Sequence, residues 1–248
     1  MPARIARLLE VNLLLLEVAD IAALAKIAHA RKAVLLIDNT FASPILCRPL
    51  ELGADLVMES LTKTMNGHSD VVLGLLCGRE AVFERVPTVI SAWGLSSSPF
   101  DCWLAERGLH TFELRFERAQ SNAKALADHL RGLAGVKRVL YPGEDDHPDR
   151  DLARDLLQGG FSHMVSFELA ADRAGVNRFL RAASNIAFAP TLGDVATTLS
   201  HPASSSHRGL SEAGRLALGI SEGFIRVSVG IEDIELLKRE ITAAVAAV

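Results

Sequence analysis

Apolar runs and amphipathic stretches alternate along most of the chain. The run from Val34 to Ile37 ends in Asp38, which is typical of a buried parallel strand that brings a carboxylate to its C-terminal edge. Before it, apolar residues recur at helical spacing over positions 21–28, and Asp20 stands near the start of that helix. A second short run covers 54–59. This order predicts an α/β crossover, whose chemistry is expected at the C-terminal edge of the strands.

The later part of the chain has a different pattern. Pro87 punctuates a short predicted helix at 80–85. After a loop at 94–99, a long helical stretch runs from about Asp101 to Leu133. Shorter elements then alternate, which indicates a small α+β domain. The predicted strands lie at 71–78, which should be buried, at 136–141 and at 164–169, and a further helix lies at 175–183.

Candidate chemistry follows the second apolar run, where Ser60 and Thr62 stand next to Lys63. A primary amine can form a Schiff base with the aldehyde of pyridoxal phosphate (PLP). The Asp38 carboxylate can keep the pyridinium nitrogen of that cofactor protonated, and the two hydroxyls can donate hydrogen bonds to its phosphate. On residue types alone, the alternatives are a solvated surface lysine and a strand-end acid that only caps a helix.

The full segment from Asp55 to Ser69 resembles the cofactor-attachment segment of the Cys/Met-metabolism PLP enzymes, a family that includes cystathionine gamma-synthase, cystathionine lyases, methionine gamma-lyase and O-acetylhomoserine sulfhydrylase. Leu61 and Thr64 depart from its usual pattern. The resemblance implies the PLP-dependent transferase fold (fold type I, aspartate-aminotransferase-like). It implies an incomplete large domain at 1–116 and a small C-terminal α+β domain at 117–248. Thr40 joins the implied cofactor-binding residues.

A second cluster of polar residues lies near the C-terminus. Arg226 occupies an alternating strand pattern with Ser228, where its guanidinium can clamp a carboxylate. The alternative is an edge-strand arginine that points to water. The resemblance implies that Arg226 binds the substrate α-carboxylate and that Thr191 contacts the catalytic lysine or the substrate. His201 and His207 raise the possibility of a metal, but a loop that shapes the mouth of the site is the preferred interpretation.

Composition limits the classes of function. The 248 residues are 49% hydrophobic with a net charge of −4 and no basic stripe, which argues against nucleic acid as a partner. Three cysteines without CxxC spacing suggest neither a disulfide framework nor a zinc site, and they fit a reducing cytoplasm. No apolar run approaches the roughly 20 residues of a membrane span, and no signal peptide is recognisable.

The resemblance also implies that the chain is a truncated member of the family. The glycine-rich phosphate loop and the ring-stacking tyrosine of full-length relatives have no counterpart, and the lone tyrosine, Tyr141, lies in the C-terminal domain. We therefore expect a PLP-dependent trans-sulfuration enzyme that eliminates or replaces groups at the gamma or beta carbon of an amino acid, a homodimer or homotetramer if the N-terminal part is present. The alternative is a non-catalytic remnant that retains only folding or dimer contacts.

Overall fold

The structure is a computed structural model that describes residues 4–6 and 15–248. The described residues divide into two compact units. The first comprises a short strand at 4–6, Val18–Glu113 and Asp151–Gly160, and the second comprises 15–17, Leu114–Arg150 and Phe161–Val248. The predicted domain boundary at Phe116 stays a prediction, and the beginning of the predicted first domain lies outside the described residues.

Four strands form the sheet of the first unit among the described residues, in the order β1-β2-β3-β4. The strands are β1 (Arg4–Ala6), β2 (Ala33–Asp38), β3 (Leu56–Ser60) and β4 (Gly74–Gly78). β1, β2 and β3 are parallel, and Asp38 lies opposite Met58 in the register between β2 and β3. The carboxyl ends of β2 and β3 therefore lie side by side.

The helix that precedes β2 covers one face of this sheet. α1 (Ile21–Ala30) begins where the side chain of Asp20 accepts a hydrogen bond from the Ala23 N–H at 2.9 Å, and this cap satisfies a donor that the helix cannot use itself. The buried side of α1 packs against Leu35 and Ile37 of β2. The predicted crossover from helix to strand, including the end of the strand at Asp38, is confirmed.

Two predictions about the following segment are wrong. The strand predicted at 71–78 is limited to β4, runs antiparallel to β3 and is partly exposed, because it is an edge strand with a single neighbour among the described residues. The long helical stretch is two helices that are separated at His110 and Thr111, where the Thr111 hydroxyl donates to the Gly108 carbonyl.

Pro87 lies in the first turn of a new helix, where it needs no N–H partner. The helices are α2 (Ser43–Leu46), α3 (Glu80–Phe83), α4 (Val86–Ala92), α5 (Pro99–Leu109), α6 (Phe112–Arg131) and α7 (Arg150–Leu156).

The second unit is a mixed sheet with helices, as the small α+β domain predicts. Its strands are β5 (Val136–Leu140), β6 (Met164–Leu169), β9 (Phe224–Ser228), β8 (Thr198–Ser200) and β7 (Ala187–Phe188), in this order across the sheet. Each pair from β5 to β8 is antiparallel, and β7 is parallel to β8. Helices α6 (Phe112–Arg131), α8 (Arg173–Ala182) and α10 (Ile234–Ala246) supply buried side chains to its core. Helix α9 (Glu212–Ala217) lies between β8 and β9 in the chain.

Large apolar side chains are exposed on α4, α5 and their connections. Trp93 follows α4 and is 76% exposed, while Phe100 and Trp103 on α5 stack with ring centroids 5.9 Å apart and are also exposed. An apolar group of this kind is usual at an interaction surface. Across residues 4–6 and 15–248, none of the helices combines the length and apolar character that a membrane span requires.

Candidate active site

The carboxylate of Asp38 is held by the residue two positions later. The Thr40 hydroxyl donates to Asp38 Oδ1 at 2.6 Å, and the Thr40 N–H donates to the same oxygen at 3.1 Å. Thr40 Oγ1 in turn accepts from the Ser60 N–H at 2.9 Å. These bonds join the ends of β2 and β3. Among the described residues, Asp38 Oδ2 has no donor, and the exposed side chain presents that oxygen at the edge of the sheet.

Lys63 lies in the turn that follows β3. Its N–H donates to the Ser60 carbonyl at 3.1 Å, and its own carbonyl accepts from the Gly67 N–H at 2.8 Å. Gly67 adopts a φ of 77°, which favours glycine because a side chain would crowd the backbone there. The backbone of the lysine is therefore fixed on both sides by turns that begin at the end of β3.

The Lys63 turn packs closely against α5. A Cβ atom added at Gly108 would lie 2.4 Å from Asn66 Oδ1 and 2.9 Å from the Asn66 Cα and carbonyl oxygen. Only a glycine permits this approach of the two backbones. Asn66 also donates from Nδ2 to Asp70 at 2.7 Å, so the turn is braced by side-chain and main-chain contacts.

The two hydroxyls that were assigned to a phosphate have different surroundings. The Thr62 hydroxyl accepts from the Leu73 N–H at 3.0 Å and lies 3.4 Å from the Leu73 carbonyl, so it ties the Lys63 turn to the chain before β4. Ser60 lies on the face of β3 opposite the buried Val57 and is half-buried. The structure brings Asp38, Thr40, Ser60, Thr62 and Lys63 to the same edge of the first sheet, and their cofactor roles stay predictions.

Two residues of this edge were not predicted as functional. Asn39 is buried and donates from Nδ2 to Glu59 Oε1 at 2.8 Å, and burial raises the pKa of Glu59 to about 7. The signal in the sequence is an acid that falls on the buried face of β3, in phase with Val57. Asp38 is the charged neighbour that raises this pKa further.

The second unit holds Arg226 and Thr191. Arg226 lies on β9, and its Nη2 is 3.5 Å from the Thr191 carbonyl oxygen. Its Nε is buried and has no hydrogen-bond acceptor among the described residues. Burial lowers the pKa of this guanidinium, but arginine keeps its charge in proteins. The structure therefore contains a desolvated cation with a donor that remains to be satisfied.

The sequence pattern left two interpretations of Arg226 open, a guanidinium that faces a pocket and an edge-strand arginine that points to water. β9 is not an edge strand, because it lies between β6 and β8. Phe224 and Ser228, which share the face of Arg226, are also fully buried, because other elements of the second unit cover that face as well. Ser228 Oγ accepts from the Gly193 N–H at 2.8 Å.

His163 is a further residue that sequence reasoning missed. It lies just before β6, is buried, and makes an edge contact with Phe116 at a centroid distance of 6.0 Å. Burial, together with the positive charge of Arg226, lowers the pKa of His163 to about 4. The imidazole is therefore neutral beside the guanidinium at physiological pH. A histidine at the head of an apolar strand is the only signal that the sequence offers for this pair.

The histidine that had suggested a metal is held by its own loop. His201 Nε2 contacts the Glu222 carbonyl oxygen at 2.8 Å, and Nδ1 contacts Ser204 Oγ at 2.9 Å. Within the part of the chain that the structure describes, no group of three or more His, Cys, Asp or Glu residues is arranged to hold a metal ion.

Comparison with known proteins places these features in a family. The family model described as Cys/Met metabolism PLP-dependent enzyme matches residues 11–246. The O-succinylhomoserine sulfhydrylase of Pseudomonas aeruginosa is 41% identical over 233 residues, which are 94% of this chain and 58% of that protein. The cystathionine gamma-lyase of Dictyostelium discoideum is 41% identical over 231 residues, which are 93% of this chain and 59% of that protein.

Solved structures agree with the sequence relatives. The cystathionine gamma-synthase of Xanthomonas oryzae pv. oryzae, in complex with aminoacrylate and cysteine, superposes with a TM-score of 0.89 at 40% identity, over 94% of this chain and 60% of that one. The predicted fold class is confirmed by this similarity. The chain spans about three fifths of the length of these relatives. Because the family model matches residues 11–246, nearly the whole of this chain, the chain belongs to the Cys/Met metabolism PLP-dependent enzyme family.

Proposed function

We propose that this chain is the part of a PLP-dependent trans-sulfuration enzyme that contains the cofactor lysine and the substrate-binding arginine. The reaction class is elimination or replacement at the gamma or beta carbon of a sulfur amino acid or an activated homoserine. The observation that carries the proposal is the edge of the first sheet, where Asp38, fixed by Thr40, lies on the strand next to the one that leads into the Lys63 turn. Family membership supports the choice of cofactor.

One observation shows that the residues present fit PLP, and a second that they fit the carboxylate of an amino-acid substrate. Asp38 Oδ1 is occupied by Thr40, whereas Oδ2 has no donor among the described residues and suits a protonated ring nitrogen. The Arg226 Nε is buried without an acceptor among those residues, and a carboxylate is the partner that a guanidinium fork fits best. Each observation concerns a polar group that is prepared for a partner of opposite charge.

When bound, PLP supplies an electron-withdrawing ring that stabilises negative charge on a substrate carbon. Asp38 would hold the proton on the ring nitrogen by charge. Lys63 would provide the amine that holds the cofactor, and the same amine would move protons between substrate carbons. Arg226 would bind the substrate carboxylate at two points and so orient the alpha carbon. Ser60 and Thr62 are the proposed phosphate contacts, and Thr191 a proposed substrate contact.

A labelling experiment tests the cofactor assignment. The purified chain is incubated with PLP, reduced with borohydride and digested, and the pyridoxyl group is located by mass spectrometry. We expect the label on Lys63 and its loss in Lys63→Ala. Lys26→Ala, which changes an exposed lysine on α1, is the matched control and should label as the parent does. Equal labelling of many lysines, or full labelling of Lys63→Ala, would contradict the assignment.

Product analysis tests the reaction class. β-Elimination from a sulfur amino acid releases pyruvate with ammonia, whereas γ-elimination releases 2-oxobutanoate with ammonia. Cystathionine, methionine and O-succinylhomoserine are suitable substrates, because the names of the relatives refer to them, and cysteine is added with the last because it is bound in the related cystathionine gamma-synthase structure. PLP attachment without any turnover of these compounds would favour the non-catalytic alternative for this chain.

We also infer a cytoplasmic protein that associates with further copies of itself. All three cysteines are free thiols, and Cys47 is buried as a thiol, which suits a reducing compartment. The exposed apolar side chains of α4 and α5 support association. Fractionation and light scattering are the corresponding measurements.

A further inference from the structure

Glu59 is an acid on the buried face of a central strand. Along β3, Val57 and Glu59 are buried while Met58 and Ser60 point to the other face, as the alternation of side chains in a strand requires. Only 3% of Glu59 is exposed. An ionised carboxylate in such a place loses its hydration and normally acquires a cation or several donors in return.

The contacts of Glu59 do not compensate a charge. Oε1 accepts one hydrogen bond, from Asn39 Nδ2 at 2.8 Å, and Oε2 is buried without a partner among the described residues. Among the described residues, the charge of Asp38 at the end of β2 acts on the pKa of Glu59, and Glu59 in turn raises the pKa of Cys47 after α2 and of Cys77 on β4. None of these groups can carry a positive charge. The neutral acid is therefore the form that burial favours. Burial, and to a lesser extent the charge of Asp38, raise the pKa of Glu59 to about 7 against the opposing effect of the Asn39 hydrogen bond, so the carboxyl is protonated below neutral pH.

Asn39, the partner of Glu59, is the residue between Asp38 and Thr40. Its N–H donates to the Met58 carbonyl at 2.9 Å, and its carbonyl accepts from the Ser43 N–H at 2.7 Å. Its side-chain amide donates to the Cys47 carbonyl at 3.0 Å as well as to Glu59. Asn39 thereby ties the end of β2 to β3 and α2. Of these four hydrogen bonds, the one to Glu59 is the only one whose partner is a titratable side chain.

We propose that Glu59 is a positioning residue that works as a neutral carboxylic acid, whose hydrogen bond with Asn39 holds the Asp38–Asn39–Thr40 segment at the edge of the sheet. The significance of that segment for PLP rests on the proposed function. The protonated carboxyl keeps a carbonyl oxygen for Asn39 and adds no charge next to Asp38. Ionisation places a second negative charge near Asp38 in a desolvated site, and it destabilises the folded chain.

The protonation state can be measured on the chain without cofactor. Carbon-13 NMR of labelled glutamate side chains follows each carboxyl through pH, and the resonance that is missing in Glu59→Gln identifies Glu59. We expect its midpoint near neutrality. Between pH 4 and pH 8, the unfolding equilibrium constant of the parent should also rise relative to that of Glu59→Gln, on the order of a hundredfold. A midpoint in the ordinary range of glutamate overturns the proposal.

The positioning role has its own readout, amide hydrogen exchange at Asn39 and Thr40. Glu59→Gln retains a carbonyl oxygen for Asn39 and should keep the exchange rates of the parent, whereas Glu59→Leu removes the acceptor and should raise them at least tenfold. Glu84→Gln, an exposed acid on the same unit, is the matched control for loss of charge. If Glu59→Leu shows the same exchange rates at Asn39 and Thr40 as the parent, the positioning role is overturned.

Neither readout needs PLP. Failure of cofactor attachment at Lys63 would overturn the proposed function, while the fate of Glu59 is decided by its titration and by exchange. The carbon-13 titration of the parent decides the protonation state even if Glu59→Leu does not fold.

Discussion

The hydroxyl of Thr40 joins the ends of two strands through Asp38. It donates to Asp38 Oδ1 at 2.6 Å on β2 and accepts from the Ser60 N–H at 2.9 Å on β3. One side chain thus determines which oxygen of the carboxylate is occupied and how the strand that leads to Lys63 is held at its end.

Replacing Thr40 should therefore affect both stability and cofactor binding. Thr40→Val removes the hydroxyl and leaves the Ser60 N–H without its acceptor, so we expect a loss of about 1–3 kcal/mol in the free energy of unfolding. PLP affinity should fall as well, because the Asp38 carboxylate loses its 2.6 Å bond from the hydroxyl and keeps only the longer bond from the Thr40 N–H. Thr40→Ser keeps the hydroxyl and should restore most of both quantities. Urea titration and PLP absorbance measure them, and parent values in Thr40→Val would contradict the link.

Gly108→Ala tests the contact between α5 and the Lys63 turn. The added Cβ would meet the backbone and side chain of Asn66 at less than 3.0 Å, so one of the two backbones must shift. We expect a destabilisation of roughly 1–3 kcal/mol, typical of overpacking, together with weaker PLP attachment at Lys63. Gly74→Ala is the control, since a Cβ there meets nothing within 4 Å and should be almost neutral. Equal stability of the two variants would refute the tight contact.

Arg226 should contribute to binding and not to stability. Its guanidinium is desolvated, has one contact at 3.5 Å and leaves Nε without an acceptor among the described residues. Arg226→Met removes a buried charge at similar volume, so we expect unchanged or higher unfolding free energy. Capture of amino-acid substrates should be lost in this variant and weakened in Arg226→Lys, which lacks the two-point fork. Amines without a carboxylate should bind the parent and both variants alike. Strong destabilisation of the fold in Arg226→Met would indicate a structural role for Arg226.

We predict that the free energy of unfolding falls in acid because of His163. Its pKa is lowered from 6.5 to about 4 in the folded chain, so between these pH values the unfolded chain binds a proton that the folded chain does not. The stabilisation is complete above pH 6.5 and is lost as pH falls through about 4. At about 1.4 kcal/mol per pKa unit, its size is about 3 kcal/mol.

The measurement is the difference in unfolding free energy between the parent and His163→Gln as a function of pH. This difference should change between about pH 4 and pH 6.5 and stay constant above pH 6.5. Glu59 has the opposite sign, because its raised pKa gives stability below pH 4.5 that is lost as pH rises through about 7. Because Glu59 is present in both proteins, its contribution cancels when the unfolding free energy of the variant is subtracted from that of the parent. His110→Gln, at an exposed histidine, is the matched control for the loss of an imidazole.

The sequence predicted the edge of the first sheet well because short-range patterns determine it. An apolar run that ends in Asp38 and an N-cap at Asp20 are local signals, and both elements formed as predicted. The segment around Lys63 was identified from its exact residues and their resemblance to a family. Its assignment did not depend on any long-range contact.

The errors concern partners that are distant in the chain. Periodicity cannot give the direction of β4 or show that it is an edge strand, because both depend on which strand it pairs with. The second buried face of β9 is likewise produced by elements that are far away in sequence. Glu59 was overlooked because its partner Asn39 belongs to another strand end, 20 residues earlier.

Both tryptophans of the chain, Trp93 and Trp103, belong to the exposed apolar group on α4 and α5, at 76% and 55% exposure. Their indole emission in the folded chain should already lie at the long wavelengths of a water-exposed ring. Intrinsic fluorescence will therefore be a poor indicator of unfolding and a sensitive one of contact. Anything that covers these helices should shift the emission to the blue, without an added dye.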